Sequence, residues 1–158
     1  MLAEERKKLV DLYREGYAAV AEALLKITPE ELDAKPAPGK WSAREIVHHL
    51  GDSEMVGAVR FRLLIAEDRP VIKGYDQDAF ARRLHYDRPH EASLELFRSS
   101  RAATVEMMGC LSETEWLREG THTDIGRFGL DTWLRIYAPH AHGHAQQILL
   151  ARKSLVQR

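Results

Sequence analysis

Cysteine occurs once in this sequence, at Cys110, so no disulfide can form within the chain and its stability must come from a packed core. Apolar runs long enough to cross a bilayer are lacking as well, which excludes a transmembrane helix and leaves no membrane partner. Excess charge of either sign is missing. The 23 Lys and Arg stand against 24 Asp and Glu, and a net charge of −1 gives no field to gather nucleic acid or an anionic lipid surface. The opening MLAEERKKLVDLY is charged throughout where a secretory signal needs an apolar centre, so a cytoplasmic setting is expected. A length of 158 residues suits one domain over 1–158 with a sizeable core, and a small-molecule substrate is the expected partner.

Strand-period alternation is also absent, and no internal repeat appears. What is present is helical spacing. Leu9, Tyr13, Val20, Leu24 and Ile27, with Gly16 and Tyr17 among them, form the stripe of a first long helix. TPEEL offers Thr28 and Glu31 as a capping box around Pro29, so a short turn starts there, and KPAPGK at 35–40 is a connection. Ser42 and Glu45 make a second capping box, opening a helix that carries Ile46, Leu50, Phe61 and Leu64 to about Ala66. The segment 67–89 holds at most one short helix, near Asp76–Leu84. A third helix covers about Glu91–Leu111 through Leu94, Phe97, Arg101, Val105 and Met108, with Cys110 expected as a small buried residue near its end. SETEW offers a capped single turn, and EGTHTDIGRFG at 119–129 reads as an irregular connection. A last helix starts near Gly129 or Leu130.

Four long helices imply an all-α four-helix bundle. At ~3.3 Å per residue the 67–89 segment can span a helix of roughly 37 Å, so it reads as a long crossover between parallel second and third helices.

The last helix places Trp133, Tyr137, His140, His144, Ile148 and Ala151 in one stripe. His140 and His144 stand one above the other, a spacing at which two imidazoles converge on one ion, while His142 points away as a solvated residue. A third ligand must come from another helix, and His48 and His49 are the suppliers, between which periodicity does not choose. Ala141 stands where a zincin motif needs glutamate, so that peptidase chemistry is excluded. Glu45 with His48 fits half of a di-iron pattern, but Glu119 with His122 lies in a glycine-containing loop. PGKWS lacks the glycine and serine of a phosphate loop.

PGKWSAREIVHHLGDSE, the basic RFR at 60–62, Arg101 and HAHGHAQQI together resemble the DinB/YfiT-like superfamily of bacterial four-helix bundles, over nearly the whole stretch from Thr28 to Ala151. The resemblance implies an up-down-down-up bundle and a homodimer. It implies His49, the histidine directly before leucine, as the first metal ligand, with His140 and His144 as the other two from a pattern that continues to Gln147 and Ile148. Relatives of this kind include thiol-dependent S-transferases and a mycothiol-dependent isomerase. The chemistry so implied is a divalent ion, zinc or nickel, activating water for hydrolysis or a low-molecular-weight thiol as cosubstrate; the competing class is a bundle that only binds a metal or small molecule. Arg60, Arg101 and Gln147 are candidates to hold an anionic group, with surface salt bridges the more ordinary role for the arginines. Pro139 departs from the pattern. It removes the hydrogen bond to the Arg135 carbonyl at a cost of about 3 kcal/mol, so the last helix is expected either to kink there or to restart. Gly143 adds about 1 kcal/mol relative to alanine, and a bound metal would offset both.

Overall fold

The structure, a computed structural model, describes residues 1–156. Helix α1 covers Ala3–Ala23, α2 Pro29–Asp33, α3 Ala43–Ala66, α4 Gln77–Arg83, α5 Glu91–Cys110 and α6 Leu130–Val156. Three short strands, β1 (Val71–Ile72), β2 (Glu119–His122) and β3 (Gly126–Gly129), lie between the later helices, with a 3-10 turn at Glu115–Leu117. The helices start where the sequence caps them. Thr28 and Ser42 accept from the backbone N–H of Glu31 and Glu45, whose carboxylates return the bond in full capping boxes. Ser112 and Glu115 make the same reciprocal pair ahead of the 3-10 turn.

Side-chain contacts at the two ends fix the direction of each long helix. Arg6 of α1 meets Glu113 just after α5, and Glu5 meets Arg135 in the second turn of α6. At the other end Arg152 of α6 donates to the carbonyl of Ala23, where α1 finishes. Helices α1 and α6 are therefore parallel, while α5, whose end meets the start of α1, runs antiparallel to both. Helix α3 ends at the same level as α5, because Arg118, shortly after α5, donates to the carbonyls of Leu64 and Glu67. Up-down-down-up is the result, and residues 67–90 are the crossover that lets α3 and α5 run parallel.

The segment 119–129 is not irregular. It forms a β-hairpin, and β1 pairs in parallel with β2 to complete a three-stranded sheet in the order β1-β2-β3. Each strand is four residues or fewer, too short for alternation to register, yet Ile72, His122 and Phe128 turn inward and close that end of the bundle.

Two apolar clusters fill the interior. One, around Phe61, Leu64, Trp133 and Leu134, lies toward the sheet; the other, around Val20, Ile46, Leu50, Phe97 and Ile148, lies toward the α2 end. A charged layer divides them. Arg101 of α5, a candidate from sequence to hold an anionic group, is 1% exposed, and its Nε and Nη2 donate to Glu54 Oε2 of α3 at 3.2 and 2.8 Å. Its Nη1 donates to the Tyr13 carbonyl of α1 at 2.5 Å and its Nη2 to the Tyr137 carbonyl of α6 at 3.4 Å. Tyr13 donates its hydroxyl to the other Glu54 oxygen, and the guanidinium lies 4.0 Å from the Tyr13 ring centre. Burial pushes the Glu54 carboxyl up while the Arg101 cation pulls it back. Cys110, expected buried, is exposed.

Gly16 makes room for this layer, since a Cβ there would collide with the Arg101 guanidinium and with the Ala141 methyl across from it. Gly143, by contrast, is exposed and faces open space. Replacing Gly16 by alanine is expected to cost about 1–3 kcal/mol through overpacking. Gly143→Ala is expected to add about 0.5–1 kcal/mol by lowering the backbone entropy lost on folding. Urea denaturation of the two variants should move the midpoint in opposite directions.

Candidate metal centre

The histidines of interest come from two helices that pack side by side, α3 and α6. In α3 the neighbours His48 and His49 are both buried but face opposite ways. His48 turns to the crossover: its Nε2 donates to the Arg88 carbonyl at 3.1 Å, its Nδ1 accepts from Ser93 Oγ at 2.8 Å, and Tyr86 packs on the ring. Both ring nitrogens are thus committed, and His48 ties the crossover to α3. His49 turns to α6. Its Nε2 lies 3.3 Å from His140 Nε2, which in turn lies 3.2 Å from His144 Nε2. All three ligand atoms fall within 4.8 Å of one another, and among the described residues no other group of this kind forms.

The 3.2 and 3.3 Å separations suit coordination. Imidazole nitrogens about 2.0–2.1 Å from one ion stand about 3.0 Å apart at a right angle and about 3.4 Å apart in a tetrahedron. The protonation states suit it too, since a ligand must be the neutral ring. Burial, with the neighbouring histidine charges, lowers the pKa of His49 and of His140 to about 3, and burial lowers that of His144 against the opposing hydrogen bond of Gln147. His144 Nδ1 donates to Gln147 Oε1 at 3.0 Å, which places its proton on Nδ1 and leaves Nε2 as a lone pair toward the other two rings.

Helix α6 neither restarts nor breaks at Pro139 but runs through it. The physical reason is position: Pro139 and Arg135 are both exposed, so the carbonyl deprived of its helical partner faces water rather than the core. His140 and His144 therefore keep the spacing of a single helix. His142 is not freely solvated; it is half-buried, and its Nε2 donates to the Leu12 carbonyl of α1 at 2.9 Å.

The three rings form the floor of a cleft of about 780 Å³. Gln147 and Leu150 of α6 line one wall, and Pro36 to Trp41 of the α2–α3 connection line the other. The Trp41 ring centre is 4.8 Å from that of His49 and stacks at 22° on His144. Of the residues proposed from sequence, Gln147 lies in the cleft, while Arg60 and Arg101 do not line it. Arg60 reaches the Tyr137 hydroxyl at 3.5 Å and the Lys73 carbonyl at 2.7 Å, and its buried Nε has no protein partner. Tyr137 in turn packs edge-on against His140, its own hydroxyl raised to about pKa 12 by burial. The cleft residues Trp41, Lys40, Lys153 and Asp78 carry no signal in spacing, because a connection, the end of α6 and a short crossover helix supply them.

Residues 12–148 match the DinB superfamily. A protein of Oceanobacillus iheyensis named as a candidate metal-dependent hydrolase is 33% identical over 125 residues, 79% of this chain and 73% of its own. YfiT of Bacillus subtilis, named in the same way, is 28% identical over 147 residues, 92% of this chain and 83% of its own. The solved structure of YfiT, described as having an unusual four-helix bundle topology, superposes with a TM-score of 0.89 over 97% of this chain and 89% of that one. On its sequence, its helix order and its overall shape, the chain belongs to the DinB superfamily.

Proposed function

We propose that His49, His140 and His144 hold one divalent metal ion through their Nε2 atoms and that the chain is a metal-dependent hydrolase acting on a small molecule in the cleft above them. The observation that carries this reading is the convergence of three neutral imidazoles, 3.2 and 3.3 Å apart along the chain of rings, at the base of an open cleft. Three imidazoles leave coordination positions free, the arrangement of catalytic rather than structural sites. An ion held there supplies Lewis acidity and an acidified water nucleophile near neutral pH. Zinc suits this donor set best in hydrolysis, and nickel is the other imidazole-compatible choice.

The remaining work falls to the chain's own side chains. Gln147 keeps His144 in the tautomer that presents Nε2. Trp41 covers His49 and His144 with an apolar face, which limits water on that side and presents a flat surface to a substrate. His48, occupied by Ser93 and Arg88, holds the crossover and takes no part in binding the ion. The relatives' names favour hydrolysis; thiol transfer would use the same centre with a thiol in place of water.

Purified protein is expected to carry about one divalent ion per chain by elemental analysis after dialysis. His49→Ala, His140→Ala and His144→Ala should each lose it, and His48→Ala should retain it while losing some stability. Metal retained by His49→Ala and lost by His48→Ala would overturn the assignment. Gln147→Leu should bind the ion about 10–100-fold more weakly, as outer partners of metal-bound histidines commonly require, measured by competition with a chelator. Zinc-loaded protein should cleave one or more members of an ester and amide panel, and chelation should abolish the turnover. A parallel panel of low-molecular-weight thiols with an electrophilic acceptor separates the two chemistries, because turnover there alone would replace hydrolysis by thiol transfer.

A further inference from the structure

The cleft has a length and a polarity of its own. Along α6 its lining runs from His140 through His144, Gln147 and Leu150 to Ser154. Those fifteen residues of helix rise about 21 Å, far more than the reacting group of a substrate needs. Beyond the histidines the lining includes apolar surface, with Trp41 on one side and Leu150, 60% exposed, on the other, past Gln147. Pro36 and Ala37 continue that surface. A large exposed leucine in a cleft wall is surface that an apolar ligand would cover.

Alongside this apolar surface the lining carries Lys40 and Lys153, both exposed. Cations elsewhere in this neighbourhood are already paired: Lys35 with Glu45, Arg44 with Asp33 and Arg152 with Glu31. Those pairs occupy Glu45, Asp33 and Glu31, and among the described residues neither Lys40 nor Lys153 has an ion-pair partner. The one carboxylate in the lining, Asp78, sits in the first turn of α4, where the helix N-terminus already favours a negative charge. The cleft thus combines neutral imidazoles at its base, the apolar surface of Trp41 and Leu150, and the unpaired positive charges of Lys40 and Lys153.

We propose that the cleft selects an elongated substrate with an apolar body and an anionic terminal group, the body lying between Trp41 and Leu150 and the anion held by Lys40 and Lys153. This rests on the metal-site reading for the position of the reacting end. The specificity residues are then a pair that neither coordinates the ion nor touches the scissile bond.

The test uses zinc-loaded protein and two probes of the same shape, 6-phenylhexanoate and the neutral 6-phenylhexanamide, titrated by calorimetry. Two exposed charge contacts are expected to make the carboxylate bind about 5–30-fold more tightly than the amide. Lys40→Gln/Lys153→Gln should erase that preference, leave the zinc content unchanged and leave binding of the amide as it was. Equal binding of acid and amide to the unaltered protein would overturn the inference. So would a preference that survives in the double variant, since the carboxylate would then be held at the ion. Ester turnover is scored separately: lysine-dependent binding of the acid in a protein that cleaves no ester upholds the cleft's selectivity and removes hydrolysis instead.

Discussion

A single guanidinium joins all four long helices. Arg101 projects from α5, binds Glu54 of α3 with two of its nitrogens, and donates to main-chain carbonyls of α1 and α6. Such a pair is a poor source of net stability, because desolvating both charges offsets most of their attraction. Its effect is on register. Every donor and acceptor has a fixed place, and sliding any one helix would leave a charge buried without a partner, a loss of about 3–5 kcal/mol. The apolar clusters above and below can repack in many ways; this layer cannot.

The histidine cluster inherits that register. Glu54 lies five residues beyond His49 in α3, and Tyr137, whose carbonyl accepts from Arg101, lies three residues before His140 in α6. The charged layer therefore fixes the relative heights of α3 and α6 within two turns of the rings on either helix. Pro139 stands between the layer and the site yet does not disturb it, because the proline faces solvent. Arg101 braces the inner side of the same stretch through Tyr137, and His142 anchors it to Leu12 of α1. The irregular sequence YAPHAHGHA is in this way held at two points while its outer face carries the residues least suited to a helix.

Much of this is legible in the residues. Capping boxes mark the starts of α2 and α3, apolar stripes give the long helices, and the length of the crossover allows α3 and α5 to run parallel. The spacing of His140 and His144 places both on one face of α6. Spacing cannot choose between His48 and His49, since both are buried and adjacent; the motif resemblance points to His49, and packing turns that ring toward α6 and His48 toward Ser93. Spacing places Arg101 in the apolar stripe of α5 but does not reveal its partner, because the glutamate that meets it stands on another helix. The hairpin at 119–129 is invisible for another reason: with strands of four residues its order comes from tertiary contacts through His122 and Phe128, not from local preference. The cleft walls draw on four separate elements, and no single stretch encodes them.

What the fold assembles is a set of three imidazoles, already neutral and already close, at the foot of an elongated cleft. Burial supplies the neutrality, and the charged layer beneath supplies the closeness. X-ray absorption of the zinc-loaded protein reads the outcome at the ion itself. The account predicts three imidazole nitrogens at about 2.0–2.1 Å, falling to two in His49→Ala reloaded with excess zinc. Two or fewer imidazoles in the unaltered protein, or a count that does not change when His49 is removed, would contradict it.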